Sequence, residues 1–472
     1  MVVQGYHPGL EDDAFYLAAI KRNLNPSLFP HDADFFRVQF QATVFDKLIA
    51  LSLRWTHVPL EWGILFWQFG VTFLILWGCS RICRRCFLEA HAQWAAVALV
   101  AVMLTLPVSG TGLSLTDQYL HPRALATGLI LAAIVAVLDR QLVLMGVLLL
   151  AAFCVHAIMA ALGVSYGLFL LSKPAEPVPI EPRRMDGRAA LLLPLGWVFE
   201  PASDAWRRAA ATRSFYFVLR WHWYEWLGVV APLALLWWFR ALARRRQEAA
   251  LAWMSERLVY FGVFQLAVAL MMLLPARLER LRPLEPMRFL HLIYLLLVLL
   301  SGGLLGRYVL KRKVLRWLLL FVPLSAGMFY AQRQTYPATP HLELPGALGN
   351  GNEWVAAFCW ISRNTPVDSL FALDPHYMEL PGEDYHGFRA LAERSVLADA
   401  VKDAGMAARV PDLAPRWLRE VDAQRGWRDF RRPDFLRLKA EFGVDWVVLQ
   451  APGVEGLPCP YRNAAVVVCR VE

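Results

Sequence analysis

Charged residues are scarce in this sequence: they make up 18% of the 472 residues, while hydrophobic residues make up 57%. A soluble globular chain is about 25% charged and about 45–50% apolar. The deficit excludes an ordinary soluble domain and implies an integral membrane protein. The N-terminus lacks the basic n-region and apolar h-region of a secretory signal. No GxxxxGK[ST] loop and no GxGxxG after a strand is present, which removes the usual phosphate-cradling nucleotide sites. No GxSxG nucleophile elbow is found either. Seven cysteines spread over this length form no disulfide framework, and the chain has no internal repeat. The net charge of +9 comes largely from short clusters at the ends of apolar runs. That distribution describes membrane topology rather than a nucleic-acid surface, so nucleic acid is excluded as a partner and the bilayer is expected.

What is present is a series of apolar runs. They cover about 60–78, 93–108, 122–138, 226–239, 256–274, 289–306 and 315–331. A longer stretch from Gln141 to Leu171 exceeds the roughly 20 residues of one span. It is either a tilted or broken span or two short segments meeting near His156. Lys/Arg clusters at Arg81/Arg84/Arg85, Arg140, Arg240/Arg244/Arg245/Arg246 and Arg307/Lys311/Arg312/Lys313 fall on one side if 141–171 crosses once. That side is cytoplasmic by the positive-inside rule. Residues 1–58, 109–121, 172–224, 275–288 and those after about 332 are then outside. An outer N-terminal loop with no span before it implies either an upstream helix missing from this start or direct translocation of a short N-terminus. The expected fold is therefore mainly α: a polytopic helical membrane protein of about 8–10 spans. An outer loop region 1–58 precedes the membrane domain 59–331, and a small α/β domain follows over 332–472. In the last, helices at about 354–363 and 433–442 alternate with strands at 369–373, 445–449 and 466–471. Cys459 and Cys469 lie there and could pair on an oxidising side.

Between the aromatics of Gly5-Tyr6-His7-Pro8-Gly9-Leu10-Glu11-Asp12-Asp13-Ala14-Phe15-Tyr16 stand three consecutive carboxylates. Adjacent carboxylates repel, so the cluster implies a metal, a cation or a proton to be handled there. The alternative is an acidic cap on the helix that begins near Ala14. Farther on, Phe35, Val38, Phe45, Leu48, Ile49 and Leu53 recur at helical spacing, which predicts an amphipathic helix along the membrane surface.

Under the same topology the other candidate polar groups share the outer face. They are His31 and Asp32 with Asp34, Asp117 with His121 and Arg123, His222 with Glu225, and Arg277, Arg280, Arg282, Glu285, Arg288 and His291. The loop 277–288 is basic on the side that should not be. Its arginines suit a phosphate, with lipid head groups or pairing to Glu279 and Glu285 as the alternative. His156 inside an apolar stretch is a functional candidate or a structural histidine. Cys79, Cys83 and Cys86 have loose metal-like spacing but lack a fourth ligand.

The acidic first loop, the amphipathic helix, the many spans and the outer α/β domain together resemble the GT-C superfamily of membrane glycosyltransferases. The phrases Tyr6-His-Pro-Gly-Leu-Glu-Asp-Asp13, Pro286-Met-Arg-Phe-Leu-His-Leu-Ile-Tyr294, Asn364-Thr-Pro366 and Glu393-Arg-Ser-Val-Leu-Ala-Asp399 look like an uncharacterised bacterial branch of it. The resemblance implies a polyprenyl-phosphate-linked sugar as donor and a glycan, lipid or protein as acceptor, in a bacterial inner membrane with the C-terminal domain outside. It implies catalysis by Asp12 or Asp13, with Glu11 beside them. A divalent cation (Mg or Mn) at the acidic loop is a further possibility it carries. Arg282 or Arg288 would hold the phosphate. Tyr6, His7, Tyr16, His31, Asp32, Asp117, His121, Arg123, His222, Glu225, Arg277 and His291 complete the expected substrate-binding set. The alternatives are a transporter or flippase for a lipid-linked glycan, which would need charges deep in several spans, and a non-catalytic envelope assembly protein.

Overall fold

A computed structural model describes residues 1–36, 43–172, 200–349 and 351–472. The described helices are α1 (Asp13–Leu24), α2 (Phe45–Thr56), α3 (Leu60–Cys86), α4 (Ala90–Val102), α5 (Pro122–Leu138), α6 (Leu142–Val155), α7 (Ala157–Leu171), α8 (Asp204–Ala211), α9 (Trp223–Arg245), α10 (Ala249–Leu273), α11 (Phe289–Leu305) and α12 (Val314–Thr335). Among the described residues five helical segments are long and apolar enough to cross a membrane: α3, α9, α10, α12 and Pro286–Leu310, which contains α11. The last is the centre of the bundle, and α12 buries nothing and lies outermost.

Glycine and alanine set how closely these helices approach. A Cβ on Gly302 would stand 2.8 Å from the backbone oxygen of Ala95, and one on Gly306 2.6 Å from the Ala95 side chain. Only residues this small let α4 and α11 pack backbone to backbone.

The basic clusters meet at one end of the bundle. Arg81 and Arg85 pair with Asp139, Arg307 with Glu89 and Glu248, and Arg240 and Arg244 with Glu256. Four apolar helices are short: α4, α5, α6 and α7, of 13, 17, 14 and 15 residues. At 1.5 Å per residue they measure about 20–26 Å, against about 40 Å for α3.

The stretch 141–171 is two segments, not one crossing. Methyl groups added at Gly163 and Gly167 would reach Leu149 and Met145, so α7 runs back antiparallel along α6 from a tip at His156. Ser172 therefore returns to the end that carries Arg140. This corrects the placement of the start of 172–224 on the opposite side. The extended backbone at His156 breaks the helix, and its side chain caps α7 by accepting from the Met159 N–H at 3.4 Å.

The amphipathic stretch also differs from expectation. Phe35, Phe45, Ile49 and Leu53 are buried and Leu48 is partly exposed, while Val38 lies outside the described residues. Phe45 meets the ring of Tyr16 on α1 at 6.1 Å. The stripe thus faces protein rather than lipid, because α1 offers it a partner.

The C-terminal region holds α13 (Glu353–Asn364), α14 (Phe388–Ala392), α15 (Asp403–Arg409), α16 (Ala414–Ala423) and α17 (Arg432–Phe442). With them are strands β3 (Leu370–Ala372), β4 (Ser395–Val396), β5 (Trp446–Gln450), β6 (Tyr461–Arg462) and β7 (Val466–Arg470), following a short hairpin β1 (Pro107–Val108) and β2 (Leu113–Ser114). The sheet order is β4-β3-β5-β7-β6, parallel across β4, β3 and β5 and antiparallel beyond. Cys459 and Cys469 form a disulfide. Residues 5–11 run as a strap through this region: the Tyr6 N–H bonds the His341 carbonyl, Glu343 N–H bonds Tyr6, Gly387 N–H bonds Gly9, and Glu11 N–H bonds Tyr385. The strap delivers the acidic motif to the seam between the sheet region and the bundle.

Candidate active site

At the end of the bundle away from the basic clusters, above the tips of the short helices, lies a cavity of about 250 Å³. Its walls come from four stretches far apart in sequence: Glu11, Asp12 and Tyr16; the loop 111–123; Arg213 to Tyr216; and Glu285 with Arg288. The C-terminal region closes it with Lys402, Met406 and Arg409. A second cavity of about 170 Å³ adjoins it. It shares Asp12, Tyr16, Arg288, Met406 and Arg409, and continues along Pro122, Val155, His156 and Ile158 at the hairpin tip.

The three carboxylates part company here. Asp13 is 1% exposed and accepts the Gly9 N–H at 2.7 Å. Burial pushes its carboxyl up to about 7. Asp12 keeps 40% of its side-chain surface open to the cavity. The surrounding protein would raise its carboxyl, but Lys402 and His121 outweigh that and hold it well below the ordinary value. Asp12 occupies the N-cap position of α1 without a capping side-chain bond, so the helix-cap alternative is not how this side chain is used. Glu11, at a φ of 55°, turns to Lys402 as well.

The Lys402 ammonium bonds Asp12 Oδ1 at 2.9 Å and also Glu11 Oε2. It stands where a divalent cation would have to bridge the two carboxylates. Among the described residues no group of three or more His, Cys, Asp or Glu is placed to hold a metal, so the donor set does not fit Mg or Mn. Cys79, Cys83 and Cys86 are buried thiols; Cys83 bonds the Ser80 carbonyl and Cys86 the Met254 sulfur.

His121 Nδ1 accepts from the Arg123 N–H at 2.9 Å, which leaves its proton on Nε2, 3.9 Å from Asp12 Oδ2. Arg123 and Asp117 pair at 2.5 Å. Glu285 is buried between Arg288 at 2.5 Å and Arg409 at 3.0 Å. Those guanidiniums overcome the effect of burial and keep its carboxyl low. Arg288 also reaches His156 at 3.2 Å. Arg213 is different: its guanidinium goes to the backbone carbonyls of Val401 (2.5 Å) and Lys402 (3.2 Å). Among the described residues the cavity wall holds five cations, Arg123, Arg213, Arg288, Lys402 and Arg409, against four carboxylates, Glu11, Asp12, Asp117 and Glu285. Arg213 is the surplus.

Of the expected site residues, the structure brings Glu11, Asp12, Tyr16, Asp117, His121, Arg123 and Arg288 to these two cavities. Arg282 sits close by, lining a small recess with Arg288 and stacking over Phe217 at 4.8 Å. His291 lies beneath, donating to the Leu115 carbonyl at 2.8 Å. The others are elsewhere. Tyr6 is buried in the strap, and His7 bonds Glu343 at 3.1 Å, away from the cavity. His31 reaches the Asp368 carbonyl at 2.8 Å, and Asp32 is buried against Arg389. His222 and Glu225 form a capping box on α9, and Arg277 is exposed. Sequence reasoning missed Arg213, Tyr119, Lys402 and Arg409. Tyr119 receives the Asp12 N–H at 3.3 Å. A weak signal for Lys402 and Arg409 existed in their position just beyond the Glu393–Asp399 phrase. No protein-family model, no curated protein and no solved structure matches this chain.

Proposed function

We propose that the chain is a membrane glycosyltransferase of the GT-C kind, moving a sugar from a polyprenyl-phosphate donor to an acceptor on the extracytoplasmic face. The observation that carries the reading is one cavity in which an accessible carboxylate, Asp12, lies among guanidiniums in excess of their carboxylate partners. In the step proposed, the acceptor hydroxyl oxygen attacks the anomeric carbon and the bond from that carbon to the phosphate oxygen breaks. The electron pair leaves on the lipid phosphate and the hydroxyl proton passes to Asp12. Arg213, Arg288 and Arg409 meet the charge that grows on the departing phosphate. The second cavity, walled by Val155 and Ile158 at the hairpin tip, suits the first carbons of the polyprenyl chain. Asp13, buried and bonded to Gly9, positions the motif instead of reacting. The basic clusters gathered at the opposite end support an inward orientation there by the positive-inside rule. The Cys459–Cys469 disulfide favours an oxidising side for the C-terminal region, and a bacterial inner membrane is the setting this reading implies.

The test is turnover of polyprenyl-phosphate sugars by protein in nanodiscs. Asp12→Asn is expected to lower the rate about 10²–10⁴-fold while Asp13→Asn changes it less. Equal turnover in wild type and Asp12→Asn would overturn the base assignment. Absence of turnover with every donor would favour the transport or assembly readings.

A further inference from the structure

On the other side of the strap from Asp12 lies a cavity of about 280 Å³ that the proposed reaction does not use. Leu17, Ile64 and Leu391 form its apolar walls, and Leu344, 45% exposed, stands at its lip. It opens at the first turn of the spanning helix α3, through Leu60 and Glu61. Trp62 and Phe66, exposed on the face of α3 turned away from Leu60 and Ile64, mark the first turns of this spanning helix as the level of the membrane–water interface, and the mouth opens at that level.

The charges around it are unbalanced toward acid. Among the described residues Lys21 is the one cation lining it, and it is taken by Glu393 at 2.6 Å. Glu343, at the inner end, is 3% exposed and already receives His7 at 3.1 Å and His386 at 3.4 Å. Glu61 is exposed, and no cation of the described residues lies within ion-pair distance of it. An apolar hole at the membrane edge with a surplus carboxylate on its rim asks for an amphiphile with a cationic head.

The geometry points to a bound bilayer lipid whose head-group ammonium keeps an N–H: an acyl chain fills the cavity and the ammonium donates to Glu61. A quaternary ammonium has no N–H to donate and binds less well. This site stands on the membrane embedding of α3 and not on the glycosyl-transfer reading, so either can fail alone.

The test uses the full chain in nanodiscs made with phosphatidylethanolamine, its N-monomethyl form or phosphatidylcholine, each mixed with the same anionic lipid. Lipid retained after detergent exchange is read by native mass spectrometry. Wild type is expected to keep one ethanolamine or monomethyl lipid about tenfold better than choline lipid, the worth of one charge-assisted hydrogen bond. Glu61→Gln removes that preference while retaining lipid. Ile64→Trp, filling the cavity, loses the retained lipid with helicity unchanged. Equal retention of ethanolamine and choline lipids by wild type overturns the proposal. So does a preference that survives Glu61→Gln. Should Ile64→Trp fail to fold, the Glu61→Gln comparison decides by itself.

Discussion

Two charge assemblies fasten the N-terminal segment to the C-terminal region, and their surroundings are opposite. At the cavity, Lys402 joins Glu11 and Asp12, with Asp12 40% open. Some residues farther along, Arg389 joins Asp32 and Asp403, with side-chain exposures of 5%, 1% and 0%. Asp32 also accepts the Val396 N–H at 3.1 Å, and Asp403 the Asp399 N–H at 3.0 Å. Both have one cation between two carboxylates. The first borders an open space where a substrate can replace a partner. The second is sealed, its guanidinium shared by two carboxylates that each also accept a backbone N–H, and holds the parts together. Pairing alone does not single out a candidate site; unfilled space beside the pair does.

The sharpest way to break this contrast is Asp12→Asn beside Asp32→Asn. The first is expected to cost about 10²–10⁴-fold in turnover with little change in thermal unfolding in detergent. The second should leave the chemistry of any folded fraction intact. Next comes Arg389→Ala, which strands two buried carboxylates and is expected to cost about 3–5 kcal/mol of stability, read as a lower unfolding midpoint. Lys402→Ala, at the open assembly, should cost clearly less stability, since water can enter to meet Glu11 and Asp12. Equal midpoints for Arg389→Ala and Lys402→Ala would erase the distinction.

A pH series sharpens it further. Asp46 on α2 is 1% exposed, neither oxygen has a hydrogen-bond partner among the described residues, and burial first, then Asp13, raises its carboxyl to about 7. A carboxyl whose folded value lies above its unfolded one favours the fold at low pH. That contribution is complete below about pH 4 and fades as pH rises through about 7. Asp46→Asn should therefore flatten the fall in melting temperature between pH 5 and 8 and stabilise the protein at the upper end. The smallest effect belongs to His31→Ala, an exposed surface residue, within about 0.5 kcal/mol of wild type.

The apolar helices were legible because apolar runs are long and uninterrupted, although among the described residues five, not the expected eight to ten, are long enough to cross a membrane. The run at 122–138 became α5 with the same bounds. The stripe on α2 was legible as a helix face but not as to what covers it, since a hydrophobic face is the same pattern whether lipid or Tyr16 lies against it. Gathering the outward loops by the basic clusters brought Asp12, Arg123 and Arg288 together before any coordinates. It also drew in His31 and Asp32, because shared sidedness is not proximity. Arg213, Lys402 and Arg409 escaped because α8 to α15 packing joins segments some 190 residues apart, a pairing that no local periodicity records.

The short helices carry a consequence for the surrounding lipid. The α6–α7 hairpin shows Val143, Val147, Leu150 and Phe153 to the outside, yet it rises only about 21 Å where the hydrocarbon layer measures about 30 Å. Lipids along this flank must compress or tilt to meet it, at a cost that grows with each ångström of mismatch. Where lipid meets this flank the layer thins beside the cavity that Asp12 borders, and in the glycosyl-transfer reading proposed above that thinning brings a lipid phosphate toward His156 and Arg288. Thicker bilayers raise the cost of that mismatch, so on the same reading the acyl-chain length of the host membrane becomes a control on access to the site.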